Sequence, residues 1–388
     1  MSNQHSSKKI LVGASMNGGA EAVSPVVKRL REGGAQVRVL SYRAATDSFR
    51  AMGIEPDRIL ENASSRNCRA EIGQFGPDTL LTGTQLQDEE HERTLEQALW
   101  ATSGIARIKS VALVDSWDCL AERFRDLDPD EAGKMVIVRG GPARIPSVIA
   151  LPGEMAREEL IAAGLPTERL VVTGNPYFEH VLNEAANLPP ETRKTLLEKP
   201  VFSTFKYGGK LIVFMSDQMD AYPDLGFTEK GVLGQFLQAI DELAESEGMK
   251  INVIVRPHPF RKEGAQEAFA VDTRNIAKVL HNPISARGND PENEYTMEEL
   301  LKAADIVAGT FNNPLITAAI MGVPVIQFLP GMDRKYRFQE FLAKEGCAAR
   351  LDDSVQVKDL VKALFSKRFS LRPLGAAEGA TDRVIEQL

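Results

Sequence analysis

The sequence predicts an α/β protein made of two Rossmann-like, doubly wound domains in series. Short β-branched runs alternate with helix-period segments along nearly the whole chain. A polar amphipathic stretch, 178–198, interrupts this pattern; it holds Pro189-Pro190 and no strand. The 388 residues are also enough for two cores, each of roughly 170–200 residues.

Taken in order, the apolar runs predict strands at 9–14, 36–40, 79–82, 110–115, 135–138, 148–151 and 170–173. Helical periodicity predicts helices at 20–32, 89–103, 117–126 and 154–163. Residues 1–178 form the expected first domain and 179–204 the connector. The second domain, 205–370, restarts with strands at 210–215, 251–255, 277–280, 305–308, 323–328 and 348–351. Its predicted helices are 229–245, 263–274, 297–304, 314–321, 334–345 and 355–365. Two such halves are expected to face each other across a cleft at the carboxyl edges of their sheets, where ligands bind.

Hydrophobic residues make up 43% of the chain and charged residues 26%, as in ordinary soluble proteins. The net charge of −8, with no dense Lys/Arg cluster, disfavours a nucleic-acid partner. Cys68, Cys119 and Cys347 are far apart and form no C-x-x-C pair, which fits a reducing compartment. The start MSNQHSSKK lacks the apolar core of a signal peptide, and apolar runs are strand-sized, so a cytoplasmic location and no transmembrane segment are expected. A homodimer is compatible with the sequence.

The strand ends carry the candidate chemistry. Gly13–Glu21, including Gly18, Gly19 and Glu21, reads as a flexible turn that lets backbone approach a ligand at a helix start. Thr84 and Asp115 also follow strands; Asp115 is placed to act as general base toward a hydroxyl, or to cap the next helix. Trp117 reads as packing. Asn175-Pro176 marks a turn at the edge of the connector. In the second half, Ser216 and Gln218 follow the first strand and offer a hydroxyl and an amide to a phosphate. Arg256 and His258 end the run INVIVRPHP, where two prolines hold the imidazole rigidly beside a cation. Thr310, Phe311, Asn312 and Asn313 end another strand, and Pro314 opens a helix whose unpaired N–H groups suit a diphosphate. No metal-ligand spacing is present, so metal-independent chemistry with no bound cofactor is expected.

SMNGGAEA (15–22), REELIAAGLPTERLVVTGNPYFE (157–179), VIVRPHP (253–259) and ADIVAGTFNNPLITAAIMGVPVIQF (304–328) together resemble the GT-B superfamily. This group comprises nucleotide-sugar glycosyltransferases and the related UDP-N-acetylglucosamine 2-epimerases. The R-P-H-P segment is similar to that of capsule- and teichoic-type transferases. There the histidine and the following helix start engage the donor phosphate, which implies that role for His258, Asn312 and Asn313. The resemblance also implies that the last stretch, 371–388, crosses back to the first domain. Two features depart from the epimerases: Ser216-Asp217-Gln218 replaces H-R-x-E-N, and Thr310-Phe311-Asn312-Asn313 replaces S-G-G.

The expected function is therefore transfer of a sugar from a nucleotide sugar (UDP-, CMP- or similar) to an acceptor. Arg256, Ser216, Gln218, Thr310, Phe311, Asn312 and Asn313 would hold the donor. Gly18, Gly19, Glu21, Thr84 and Asn175 would hold the acceptor, with His258 and Asp115 catalytic. The alternatives are a UDP-sugar 2-epimerase and a non-catalytic nucleotide-sugar-binding protein. Domain closure hinged near 176–200 and at the C-terminal helix, 381–388, is expected to accompany catalysis.

Overall fold

In the computed structural model the described residues are 8–86, 94–117, 119–129, 135–139, 145–217, 228–257, 271–280, 295–331, 340–374 and 378–388. The chain divides into two compact units, Met1–His180 with Ala376–Leu388, and Val181–Gly375.

The first unit runs β1 (Lys9–Ala14), α1 (Asn17–Glu32), β2 (Gln36–Ser41), α2 (Ala45–Ala51), β3 (Arg58–Ile59), α3 (Ser65–Phe75), β4 (Thr79–Thr82) and α4 (Leu95–Ala106). It continues with β5 (Lys109–Leu113), β6 (Arg125–Pro129), β7 (Met135–Arg139), β8 (Val148–Leu151), α5 (Glu154–Ala162) and β9 (Leu170–Val172). Its main sheet has the order β3-β2-β1-β4-β5-β8-β9 and is parallel throughout. Strands covered on both faces need apolar residues on both. Ile10, Val12 and Ala14 of β1 pack with Val23, Val26 and Val27 of α1. The intervening Leu11 packs on the other face with Leu95 and Leu99 of α4. Thr94 starts α4 with a capping box: its hydroxyl accepts from Gln97 N–H at 3.2 Å, and Gln97 Oε1 accepts from Thr94 N–H at 3.3 Å.

Helix α6 (Pro176–Asn187) leads from the first unit into the second. There follow α7 (Thr192–Leu197), β10 (Lys210–Met215), α8 (Glu229–Glu247), β11 (Ile251–Arg256), β12 (Ala277–Leu280), α9 (Met297–Ala303) and β13 (Ile306–Gly309). Then come α10 (Asn313–Ile320), β14 (Val325–Phe328), α11 (Glu340–Lys344), β15 (Ala348–Leu351) and α12 (Ser354–Phe365). The parallel sheet order β12-β11-β10-β13-β14-β15 is the doubly wound order, with its reversal between β10 and β13. Phe214 of β10 meets Phe236 of α8 at 5.0 Å between ring centroids, and Phe236 in turn meets Phe328 of β14.

Helix α13 (Ala380–Glu386) belongs to the first unit. The Glu179 carboxylate accepts from the N–H groups of Gly379 (2.6 Å) and Thr381 (2.9 Å), an anion at the helix start. Arg383 Nε donates to Thr173 O at 2.8 Å, and Thr79 Oγ1 to Leu388 O at 3.0 Å. No helix among the described residues is long and apolar enough to cross a membrane.

Several expectations need correction. Residues 119–126 are not a helix: Cys119 is left-handed (φ 51°), and a 3-10 turn at Glu122–Phe124 runs into β6. The strand expected at 135–138 exists, but it pairs antiparallel with β6 in a separate ribbon. Helix α1 begins at Asn17, so Gly18 and Gly19 lie in its first turn instead of a loop. Residues 178–204 contain no strand but are largely helical, through α6, α7 and a 3-10 turn at Pro200–Phe202. Helices α2 and α3 and the short β3 went unread. Residues 271–274 are not helical; most of the helix expected at 263–274, and the starts of those at 89–103 and 334–345, lie outside the described residues.

Candidate functional site

In the first unit, the reversal of strand order lies between β1 and β4, where a doubly wound sheet binds ligands outside its carboxyl ends. Helix α1 is drawn tight to this edge by two glycines. A Cβ on Gly19 would lie 3.3 Å from the Cα of Gly83, and Gly83 N–H donates to Gly13 O at 3.2 Å. Gly18 serves a different neighbour: a Cβ there would fall 2.0 Å from Asp115 Oδ2. The first turn of α1 carries no acidic residue of its own, and Met16 gives no side-chain cap. Asp115, arriving from the end of β5, brings a carboxylate to that positive helix end.

Asp115 is braced by a residue that sequence reasoning passed over. Arg123, with 9% of its side chain exposed, donates through Nη1 to Asp115 Oδ1. The same nitrogen donates to Thr84 Oγ1 at 3.0 Å and lies 3.4 Å from Thr84 O. Nη2 donates to Ser116 Oγ at 2.7 Å. Asn175 Nδ2 donates to Asp115 O at 2.9 Å, while its Oδ1 accepts from Tyr177 N–H. The structure thus brings Gly18, Thr84, Asp115 and Asn175 to one edge: Asp115 neighbours Gly18 and Asn175, and Arg123 ties it to Thr84. Trp117 is half-buried and stacks on Phe178 at 5.7 Å with planes 5° apart. Glu21 lies half-buried on α1.

A second unread group is Glu96, fully buried at the start of α4. Its Oε1 accepts from Ser15 N–H at 2.8 Å and Oε2 from Ser15 Oγ at 2.6 Å, clamping the β1–α1 turn. Burial pushes the Glu96 carboxyl up, against the hydrogen bonds from Ser15. A glutamate within a helical repeat carries no sequence signal that it faces inward.

In the second unit, β10 and β13 flank the reversal, with Met215 paired to Gly309. A Cβ at Gly309 would meet Met215 O at 2.6 Å, so only glycine allows this approach. Asn312 Nδ2 spans the gap to Met215 O at 3.0 Å. Its carboxamide is therefore turned away from α10, whose start has no side-chain cap and no acidic residue. Pro314 has no N–H, and Leu315 N–H already donates to Asn312 O at 3.1 Å. Anion contact at this helix start is therefore left to the N–H groups of Asn312 and Asn313.

Ser216 differs from expectation. Its N–H donates to Arg256 O at 2.9 Å and its hydroxyl to Glu229 Oε1, so both donors are used inside the protein. Thr310 is also fully buried: its hydroxyl lies 3.4 Å from Asp217 Oδ2, and its carbonyl accepts from Gln327 Nε2. These two residues brace the loop and present no free hydroxyl. Phe311 is half-buried and Asn313 exposed.

Arg256, 7% exposed at the end of β11, stands apart. Its Nη1 lies 3.1 Å from the Met297 thioether, a weak acceptor, and its buried Nε has no partner among the described residues. No carboxylate among them forms an ion pair with it. Burial pulls the guanidinium below its ordinary value, against the opposing pull of Tyr295 and Glu298. A buried cation served by one sulfur is poorly compensated unless an anionic ligand completes it. His258 and Gln218 lie outside the described residues. Among the described residues no cluster of three or more His, Cys, Asp or Glu could hold a metal ion.

No protein-family model matches the chain. No curated protein matches its sequence. Solved structures do match over almost its full length. The UDP-GlcNAc 2-epimerase from Neisseria meningitidis, bound to UDP-GlcNAc, is similar with a TM-score of 0.65 at 14% identity, covering 98% of this chain and 99% of that one. The UDP-GlcNAc 2-epimerase from Methanocaldococcus jannaschii also gives 0.65 at 14% identity, over 97% and 98%. HepE from Anabaena, in complex with UDP, gives 0.55 at 12% identity, over 98% and 94%. With two Rossmann-like units and this likeness along its length, the chain has the GT-B fold.

Proposed function

We propose that the chain is a metal-independent nucleotide-sugar enzyme that transfers a glycosyl group from a nucleotide-diphosphate sugar, such as a UDP-sugar, to an acceptor hydroxyl. The observation that carries this reading is Arg256, a buried guanidinium with no ion-pair partner among the described residues, at the same sheet edge as the uncapped start of α10. A diphosphate supplies the missing negative charge and accepts the N–H groups of Asn312 and Asn313. His258, two residues beyond Arg256, adds a further donor. The solved relatives that contain UDP or UDP-GlcNAc support the choice of ligand.

On the first unit, Asp115 Oδ2 takes the proton of the acceptor hydroxyl. The acceptor oxygen bonds to the anomeric carbon while the bond from that carbon to the diphosphate breaks. The electron pair leaves with the phosphate, whose charge Arg256, His258 and the α10 start stabilise. Arg123 holds Asp115 in place by its other oxygen.

A second reading, epimerisation of the sugar while it remains on its nucleotide, is favoured by the higher TM-scores of the epimerases. Incubation with UDP-GlcNAc alone separates the two. Transfer predicts that UDP accumulates rapidly only when an acceptor is added, whereas a C2 epimer formed without acceptor establishes the second reading. A chain whose melting temperature responds to no nucleotide or nucleotide sugar would refute both.

A further inference from the structure

Two positive features at the carboxyl edge of the first sheet, the start of α1 and the Arg123 guanidinium, are already neutralised from within. The start of α1 faces Asp115 Oδ2, which lies 2.0 Å from where a Cβ on Gly18 would fall. The Arg123 guanidinium is committed to Asp115, Thr84 and Ser116. Asp115 Oδ1 takes Arg123 and the Thr84 hydroxyl, while Oδ2 accepts no hydrogen bond from any described residue. Asp115 keeps 15% of its side chain exposed, and its Oδ2 is left as an acceptor with no donor among the described residues. Two residues on, Trp117 adds an aromatic ring stacked on Phe178.

We propose that this edge is a subsite for an uncharged, hydroxyl-bearing sugar, and that Asp115 makes it reject phosphorylated ligands. A ligand hydroxyl donates to Oδ2, and the Trp117–Phe178 pair gives the sugar ring an apolar surface. A phosphate in the same place would meet a carboxylate where an anion-binding edge would offer a bare helix start and a free arginine. The inference rests on the proposed function only in naming this ligand the acceptor.

The chain has two tryptophans, and Trp100 is buried with its indole N–H on Thr82 Oγ1 at 2.8 Å. The Trp117 indole N–H is therefore a distinguishable NMR reporter, assigned with Trp117→Phe. The full chain is titrated with N-acetylglucosamine and with N-acetylglucosamine 6-phosphate, each with and without UDP. The neutral sugar is expected to shift the Trp117 signal, and the phosphate to bind at least ~10-fold more weakly. In Asp115→Asn, which keeps an oxygen for Arg123, the gap between the two probes should close. Equal or tighter binding of the phosphate by the wild-type chain overturns the proposal. So does a Trp117 signal that neither probe moves; both comparisons stand even where the variant fails to fold. UDP uptake is scored separately by melting temperature, so its loss refutes the donor site and leaves the Trp117 comparison intact.

Discussion

Gly83 and Gly19 meet backbone to backbone: a Cβ on Gly83 would fall 2.5 Å from the Cα of Gly19. No side-chain rotation relieves such a contact, so α1 must move off the sheet to admit a methyl group. Gly83→Ala is expected to cost about 2–4 kcal/mol. Urea unfolding checks this; a wild-type midpoint would mean the approach is not constraining.

Gly18→Ala tests a softer neighbour. The new methyl group displaces the end of the Asp115 side chain, which can rotate, so the stability loss should be about 1 kcal/mol or less. Turnover should fall ~10- to 100-fold, because a misplaced base loses its geometry. Full activity in this variant would remove Asp115 from the mechanism.

Glu96 gives the first unit a pH dependence. Burial raises its folded-state value above the ordinary 4.5, so the folded protein holds a proton the unfolded chain releases. The associated stability is complete below about 4.5 and is lost as pH rises through the raised value. Glu96→Gln keeps an acceptor for Ser15 N–H but cannot ionise. It should therefore gain on the wild type as pH increases from about 5 to about 9 in urea melts. A difference that stays flat across that range would show that Glu96 does not change its charge on folding.

Arg256→Met should separate stability from binding. Removing a buried, poorly partnered cation is expected to leave the melting temperature equal or higher. UDP affinity, read by calorimetry, should fall ~10- to 100-fold. A variant that melts early but binds UDP normally would make Arg256 a structural residue.

His258→Ala is expected to lower turnover ~100-fold, the effect of losing one charge-stabilising donor, with little change in melting. Unaltered donor affinity and rate would exclude the imidazole from the site.

The fully covered strands were legible because burial on two faces leaves continuous apolar runs that end at glycine, proline or polar residues. This is why β1, β4, β8 and β10 match the reading residue for residue; the half-buried edge strands β12 and β15 match it as well. The segment after Asp115 was not legible: periodicity registers neither a left-handed Cys119 nor an antiparallel ribbon, and Arg123 was lost inside the misread helix. Gly18 and Gly19 read as breakers, yet they sit within α1 because Asp115 and Gly83 come from distant strands. Ser216 and Thr310 stood at the right strand ends, but nothing local shows that Glu229 and Asp217 engage their hydroxyls.

The attachment of α13 to the first unit makes the second unit an insertion in the chain of the first. During synthesis, residues 181–375 emerge as a contiguous block and can fold as soon as they clear the ribosome. The first unit must wait. Until α13 arrives, the Glu179 carboxylate lacks its Gly379 and Thr381 partners, and Val384 is missing from the core cluster around β1 and α1. The part of the chain made first is thus completed last, when Val384 and Leu388 join the core it began.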